Sequence, residues 1–531
     1  MSTKASLSFE KKMIFCFAGI IAVFTFFPLL IPSIPAPYWF HETFFNTLKI
    51  AENFKEKGFP TFDGVTPTND FSLLWGLFLS GLSAVVSSET TAFFIFVRLI
   101  LGLFLGISLW LFNRLIHGFE LQPEKEVQFM SSSFLAALYL YSAFTGSDAT
   151  LAIPAVFFSA LCLLRALKNP TIISGIICGL SVSLCAFTRF DCAAYFLTVL
   201  LVFYFQFNGK EPITTKQTLI LASGIVIGLI PLMAYADILQ TKFGTPVPME
   251  LLSWGTAQNV APWRFLVVVF FEPLRYMIRI PQTPALITFP IILLLLVSYV
   301  SFPWLGQKQT PKDTVFYALI WHPIVYLVSI SVFTFITLPE YSFYPLAIGA
   351  PAALLFAANE INSRVQENEK KQAKKAWLIL SCLFLILALT VCTKSRAAFY
   401  RSITHTVSEF SDKHPGRYAM STGAGITSFV TQKDFVRLDG MAGDLPLLKN
   451  LDAQKELKET FKNYNIDYYI AINPGKNDNC YSAREPVQNR FGGTNKGMSD
   501  WLCTEPVFEK DATSEYKITI FKTDFFAKSA L

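Results

Sequence analysis

About eleven times along its 531 residues this chain sets down an apolar run long enough to cross the hydrocarbon core of a bilayer. The runs fall near 12–33, 90–113, 128–145, 150–167, 171–188, 192–207, 217–238, 284–304, 314–337, 341–358 and 376–393. In lipid no water satisfies the backbone, so segments of this kind are stable only as helices. The chain therefore reads as a polytopic α-helical membrane protein. Composition agrees, with 53% hydrophobic residues, 15% charged and a mean hydropathy of +0.44, too few charges for an ordinary water-facing surface. The net charge of +6 sits in loop Lys and Arg and implies no nucleic-acid partner.

The first run follows a basic flank, is too long for a signal-peptide core and lacks a small-residue cleavage site, so it reads as a retained helix with a cytoplasmic N-terminus. One further run, FSLLWGLFLSGLSAVVSS at 71–88, decides the topology, because counting it as a span inverts every later loop. With 71–88 along the outer interface, the inside loops become NRLIHGFELQPEKE, RALKNP, NGKEPITTKQ, GQKQTPKD and NSRVQENEKKQAKK, each with Lys or Arg beside a membrane end. The outer face then receives 34–89, the turns at Gly146–Thr150 and Arg189–Asp191, the 239–282 loop, the Leu338–Tyr341 turn and everything after about residue 394.

Residues 1–393 thus read as a transmembrane domain with a large first outer loop, 34–89, and 394–531 as a soluble domain on the outer side. In the latter, RYAMSTGAG, DFVRLDG, IDYYIAIN and YKITIFKTDFF read as strands, and LPLLKNLDAQKELKETFKNYN as an amphipathic helix, an α/β pattern. Seven of the nine cysteines lie in or beside apolar runs without metal-ligand spacing. Cys480 and Cys503, alone in the soluble part, form a disulfide in an oxidising compartment and otherwise remain two free thiols.

Within the first outer loop, Phe44, Phe45, Leu48, Ala51 and Phe54 recur at helical spacing, with Asn46, Lys49, Glu52 and Asn53 opposite and Gly58 placed to end the helix. This pattern predicts an amphipathic helix lying on the outer interface. TFDGVTPTND follows as a tight turn region.

The order of Glu42, LKIAENF and GFPTFDGVTPTN before an apolar Leu/Trp run resembles the first outer loop of GT-C fold glycosyltransferases. TGSDATL with Asp148, TRFD at Thr188–Asp191, FGTPVP at Phe243–Pro248, and VRLDG followed by NIDYYI resemble later segments of that superfamily, the last in a bacterial branch. Many relatives begin this loop with two adjacent acids, whereas here Glu42 is preceded by His41 and followed by Thr43.

The resemblance implies an enzyme moving a sugar, with inversion, from a polyprenyl-phosphate donor to a lipid, glycan or protein acceptor on the outer face of a bacterial cytoplasmic membrane. Glu42 is then the general base. Asp148 holds the acceptor, orients Glu42 or contributes to a metal site. Arg189, Lys242 and, further on, Arg264, Arg275 and Arg279 are outer cations for the carrier phosphate. Asp191, Asp63 and Asn69 complete the candidate substrate-binding set. No organic cofactor is implied; a divalent cation is left open, since one carboxylate is a poor cation site unless Asp148 or His41 completes it.

Plainer roles compete at each position. Glu42 suits a helix start, Asp148 an N-cap, and Arg189 with Asp191 an interfacial ion pair. Asp63 and Asn69 suit turn stabilisation, while His41, Tyr341 and Tyr344 suit the interface or packing. A multi-pass transporter or a non-catalytic envelope assembly protein are the alternative functions.

Overall fold

The computed structural model describes residues 18–26, 34–192 apart from 122, 215–249, 310–333, 339–364, 397–485 apart from 441, 497–513 and 516–523, with isolated positions between them. Among these, four helices have the length and apolarity to cross a membrane: Thr91–Gly118, Lys125–Thr145, Ala149–Lys168 and the stretch Thr215–Phe243. Helices Pro311–Phe333 and Pro339–Arg364 pack beside them. The chain is a helical membrane protein; most of the apolar runs at 192–207, 284–304 and 376–393 lies outside the described residues.

We label the helices that frame the site α1 (Glu42–Lys57), α2 (Leu73–Val85), α3 (Thr91–Gly118), α4 (Lys125–Thr145), α5 (Ala149–Lys168) and α6 (Ile172–Thr188). Helix α2 has 13 residues, about 20 Å at 1.5 Å per residue and well short of a bilayer core. Thr90 then starts α3 afresh by accepting from the Phe93 amide at 3.3 Å.

Two close approaches fix the bundle. Gly175 and Gly179 of α6 meet Gly224 and Gly228, where an added Cβ would stand 2.3–2.6 Å from a facing carbonyl, so only glycine lets these backbones touch. Near the start of α3, buried Arg98 donates to the carbonyls of Phe24 (3.1 Å) and Trp39 (3.0 Å) among the rings of Phe24, Trp39, Phe40 and Phe144, 4.9–5.7 Å away. These contacts pin the chain just before α1.

Helix α1 forms where the periodicity puts it and stops at Gly58, whose φ of +77° suits glycine and whose amide returns to the Phe54 carbonyl at 3.0 Å. Its apolar face packs on the bundle through Phe44, Phe45, Leu48 and Ala51. The expectation of an interfacial helix with a wet polar face is corrected. Asn46, Lys49 and Asn53 are buried and Glu52 is half-buried: Arg437 and Gly425 of the C-terminal region lie against Asn46, and the Thr61 and Phe62 carbonyls of the first loop take the Asn53 amide.

That region holds β1 (Tyr418–Met420), β2 (Phe435–Arg437), β3 (Tyr468–Ile472), β4 (Gly475–Asn477), β5 (Cys480–Glu485), β6 (Met498–Leu502), β7 (Phe508–Asp511) and β8 (Lys517–Lys522). One sheet runs β2-β1-β3-β8-β7, with β1 parallel to β2 and β3 and the rest antiparallel; the other runs β4-β5-β6. A disulfide joins Cys480 to Cys503 beside the β5–β6 ladder. The helix expected over LPLLKNLDAQKELKETFKNYN is two, Leu445–Asp452 and Leu457–Asn463, divided where Gln454 turns to φ +52°.

Candidate active site

The α4–α5 turn builds the first half of the site. Gly146 ends α4 at φ +71°, and a Cβ there would come within 2.7–2.8 Å of the Phe40 and Phe44 rings, so the turn needs glycine. Asp148 follows at the N-cap position of α5, yet its side chain caps nothing. Its Oδ1 instead accepts from Arg189 Nη1 (2.7 Å) and Ser147 Oγ (3.2 Å), and its Oδ2 accepts from the Ser72 hydroxyl ahead of α2.

Arg189 closes α6 and forks Asp191, Nε to Oδ1 at 3.0 Å and Nη2 to Oδ2 at 2.7 Å. Tyr326 adds its hydroxyl to Asp191 Oδ2 at 2.6 Å, and the guanidinium lies 5.7 Å from the Tyr344 ring. Behind them His322 lies between Tyr344 (3.2 Å from Nε2) and Thr198 (3.4 Å from Nδ1). Two carboxylates thus share one guanidinium in a buried setting. Burial pushes the Asp148 carboxyl up from the ordinary range, against the pull of Arg189, and Asp191 adds to the rise.

Glu42 ends in a second cluster. Its Oε1 accepts from the Gly423 amide (2.8 Å) and Arg437 Nη1 (3.1 Å), while among the described residues Oε2 has one long contact, the Tyr400 hydroxyl at 3.4 Å. Arg437 forks Asp439, Nε to Oδ1 at 2.7 Å and Nη2 to Oδ2 at 2.8 Å, and donates from Nη1 to Asn46 Oδ1 at 2.5 Å. All this lies at the carboxyl ends of β1 and β2, the edge where parallel α/β sheets usually receive ligands. Here α1 covers that edge. Asp70 joins it by accepting from the Ala442 amide, and burial, ahead of that bond, pushes its carboxyl up to about 7.

The remaining candidates are distributed. Asp63 Oδ1 accepts from Val65 N (3.0 Å), Thr66 N (2.8 Å) and Thr61 Oγ1 (3.1 Å), and its Oδ2 pairs with Arg417. Asn69 accepts from the Met249 amide at 2.8 Å and reaches the Val247 carbonyl, tying the first loop to the FGTPVP segment. Lys242 is exposed at the end of helix Ile230–Phe243. Arg264, Arg275 and Arg279 lie outside the described residues. Asp148, Arg189 and Asp191 therefore meet. Glu42 ends apart from them, although the His41 amide bonds the Thr145 carbonyl at 3.1 Å just before the Gly146 turn. Among the described residues, no three His, Cys, Asp or Glu side chains converge to hold a metal ion.

No family model and no curated protein matches the chain. Solved structures do. ArnT from Cupriavidus metallidurans bound to undecaprenyl phosphate superposes with a TM-score of 0.53 at 11% identity, covering 86% of this chain and 92% of that one. Its apo form gives 0.53, 11%, 87% and 93%. The chain has the GT-C fold. The archaeal oligosaccharyltransferase AglB from Archaeoglobus fulgidus, in complex with an inhibitory peptide and a dolichol-phosphate, aligns more loosely, with a TM-score of 0.46, 11% identity, and 87% and 69% coverage.

Within this GT-C fold several site residues escaped sequence reasoning: Ser72, Tyr326, His322, Asp70, Arg437 and Asp439. One signal was available. Arg189-Phe190-Asp191 and Arg437-Leu438-Asp439 share the pattern Arg-x-Asp, whose spacing suits an Arg fork onto a neighbouring carboxylate.

Proposed function

We propose that this chain transfers a sugar from a polyprenyl-phosphate carrier to an acceptor hydroxyl at the extracytoplasmic face of a bacterial cytoplasmic membrane. The observation that carries the proposal is Glu42, held by two donors at Oε1 and, among the described residues, met at Oε2 by the Tyr400 hydroxyl alone at 3.4 Å, in a fold shared with a protein that binds undecaprenyl phosphate; Asp148 stands in a separate cluster, linked to it along the chain where the His41 amide bonds the Thr145 carbonyl. The outward position of residues 394–531 draws support from the Cys480–Cys503 disulfide, which suits an oxidising compartment, and from the basic loops assigned to the other side.

In this mechanism the acceptor oxygen attacks the anomeric carbon as the bond from that carbon to the carrier phosphate breaks. The electron pair leaves with the phosphate, the hydroxyl proton passes to Glu42 Oε2, and the configuration inverts. Asp148, kept in place by Ser72 and Arg189, orients the acceptor. Arg189 is committed to two carboxylates, so Lys242, exposed at the end of helix Ile230–Phe243, is the better partner for the phosphate charge. Asp191 holds Arg189, and Asp63 and Asn69 shape the loop around the substrate.

Mass spectrometry of envelope glycolipids and glycoproteins tests the proposal in cells lacking the protein, complemented with wild type or Glu42→Gln. A sugar-sized mass loss restored by wild type and reduced about 100-fold or more in Glu42→Gln is the expected result. Unchanged glycans in the deletion strain would overturn it.

A further inference from the structure

Both carboxylates assigned to the transfer are held by the same device. Arg189 grips Asp191 two residues on and passes Nη1 to Asp148; Arg437 grips Asp439 two residues on and passes Nη1 to Glu42. The first arginine belongs to the helix bundle and the second to the C-terminal sheet.

Resting on the transferase reading above, we propose that Arg437, together with the Gly423 amide, is a positioning residue that fixes Glu42 Oε1 and leaves Oε2 for the acceptor proton. The C-terminal region is then a working part of the transfer site. An unrestrained glutamate wanders among many rotamers, and holding it in one costs side-chain entropy. Two donors at 2.8 and 3.1 Å on one oxygen supply that restraint, whereas 3.4 Å from the Tyr400 hydroxyl is too long to saturate the other.

The arginine is itself immobilised. Asp439 takes Nε and Nη2, and Asn46, one turn beyond Glu42 on α1, takes Nη1 as well. The two backbones also meet directly: a Cβ on Gly425 would lie 2.2 Å from Asn46 Oδ1 and 3.0 Å from the Glu42 carbonyl oxygen. Docking does not depend on Arg437, because Asp63 with Arg417, Thr68 with the Gly443 carbonyl (2.6 Å) and Asp70 with the Ala442 amide join the same partners elsewhere. Positioning and docking are therefore separable by substitution.

The test labels carboxylates of the detergent-purified full chain with a water-soluble carbodiimide and glycine ethyl ester, read by peptide mass spectrometry, beside the glycan measurement in cells. The double variant R437Q/D439N removes arginine and counter-charge together; R437K keeps the charge and loses the fork. We expect the double variant to raise labelling of Glu42 severalfold with Asp63 and Asp148 unchanged, and to lower the glycan product about 100-fold. We expect R437K to recover part of that product, and its labelling decides the matter if the double variant fails to accumulate. Unchanged Glu42 labelling, a rise shared by all three carboxylates, or wild-type product where Glu42→Gln makes none would overturn the positioning role and leave the transferase standing. Wild-type product from Glu42→Gln would overturn the base and the positioning role with it.

Discussion

Nη1 of Arg189 lies 2.7 Å from Oδ1 of Asp148, across 41 positions of sequence. The contact joins the end of α6 to the start of α5. Because Arg189 also serves Asp191, it is the counter-charge of two largely enclosed carboxylates at once, Asp191 with 4% and Asp148 with 15% of the side chain exposed. Arg189→Leu would strand both and should cost about 3–5 kcal/mol, while Arg189→Lys keeps the charge but not the bidentate geometry and should cost less. Thermal unfolding in detergent, followed by tryptophan fluorescence, orders the three proteins. A leucine variant melting with wild type would show the cluster to be unimportant for stability.

Glycine supplies a second prediction, with an internal control. A Cβ on Gly179 would sit 2.3 Å from the Ile225 carbonyl oxygen and 2.9 Å from the Gly228 Cα, so Gly179→Ala must push two helix backbones apart. Overpacking of this kind costs about 1–3 kcal/mol. Gly81 in α2 has nothing within 4 Å of the same construction, and Gly81→Ala should be neutral or stabilising by up to about 1 kcal/mol. The same melting experiment on both variants checks the contrast, and equal losses would contradict it.

What the sequence made legible was local. Helix α1 and its stop at Gly58 follow from a 3.6-residue pattern and one glycine, and the pairing of Arg189 with Asp191 from a spacing of two. Helix α2 takes up only 13 residues of the 71–88 run, a length that the run's even apolarity did not announce. Contacts between distant segments were not legible. Glu42 meets Arg437 only after the C-terminal sheet has folded and docked, and nothing in the α1 pattern says that a polar face will be covered by protein instead of water. The β4-β5-β6 sheet was missed because β4 is exposed throughout and β5 and β6 mix charged and polar residues with few apolar ones, so no apolar run marks them. Gln454 breaks a helix without a glycine or proline to announce it.

The disulfide gives a third prediction. Cys480 and Cys503 close a loop with a sequence separation of 23, and constraining the unfolded chain by that much stabilises by about 3 kcal/mol. Cys503→Ala should lower the melting temperature, and a reductant should do the same to wild type without affecting the variant further. A variant that melts with oxidised wild type would rule out a stabilising bridge.

The last prediction concerns pH and Glu485. Its carboxylate is buried against the hydroxyls of Ser421 and Tyr469, the latter 2.7 Å away. Burial pushes it up to about 7 against the pull of both hydroxyls, with Asp439 adding to the rise. An acid whose folded pKa exceeds its unfolded value keeps a proton in the native state that the unfolded chain has already released. Between the ordinary value of 4.5 and about 7, stability from this group therefore falls as pH rises, and Asp70, also near 7, acts in the same direction. Glu485→Gln stays neutral in both states and should lose this part of the slope. Melting temperatures across pH 5 to 8 should bring the two proteins together at the acid end and set the glutamine variant above wild type at the alkaline end. If the gap instead widens toward pH 5, Glu485 is charged in the native state and Ser421 and Tyr469 outweigh its burial.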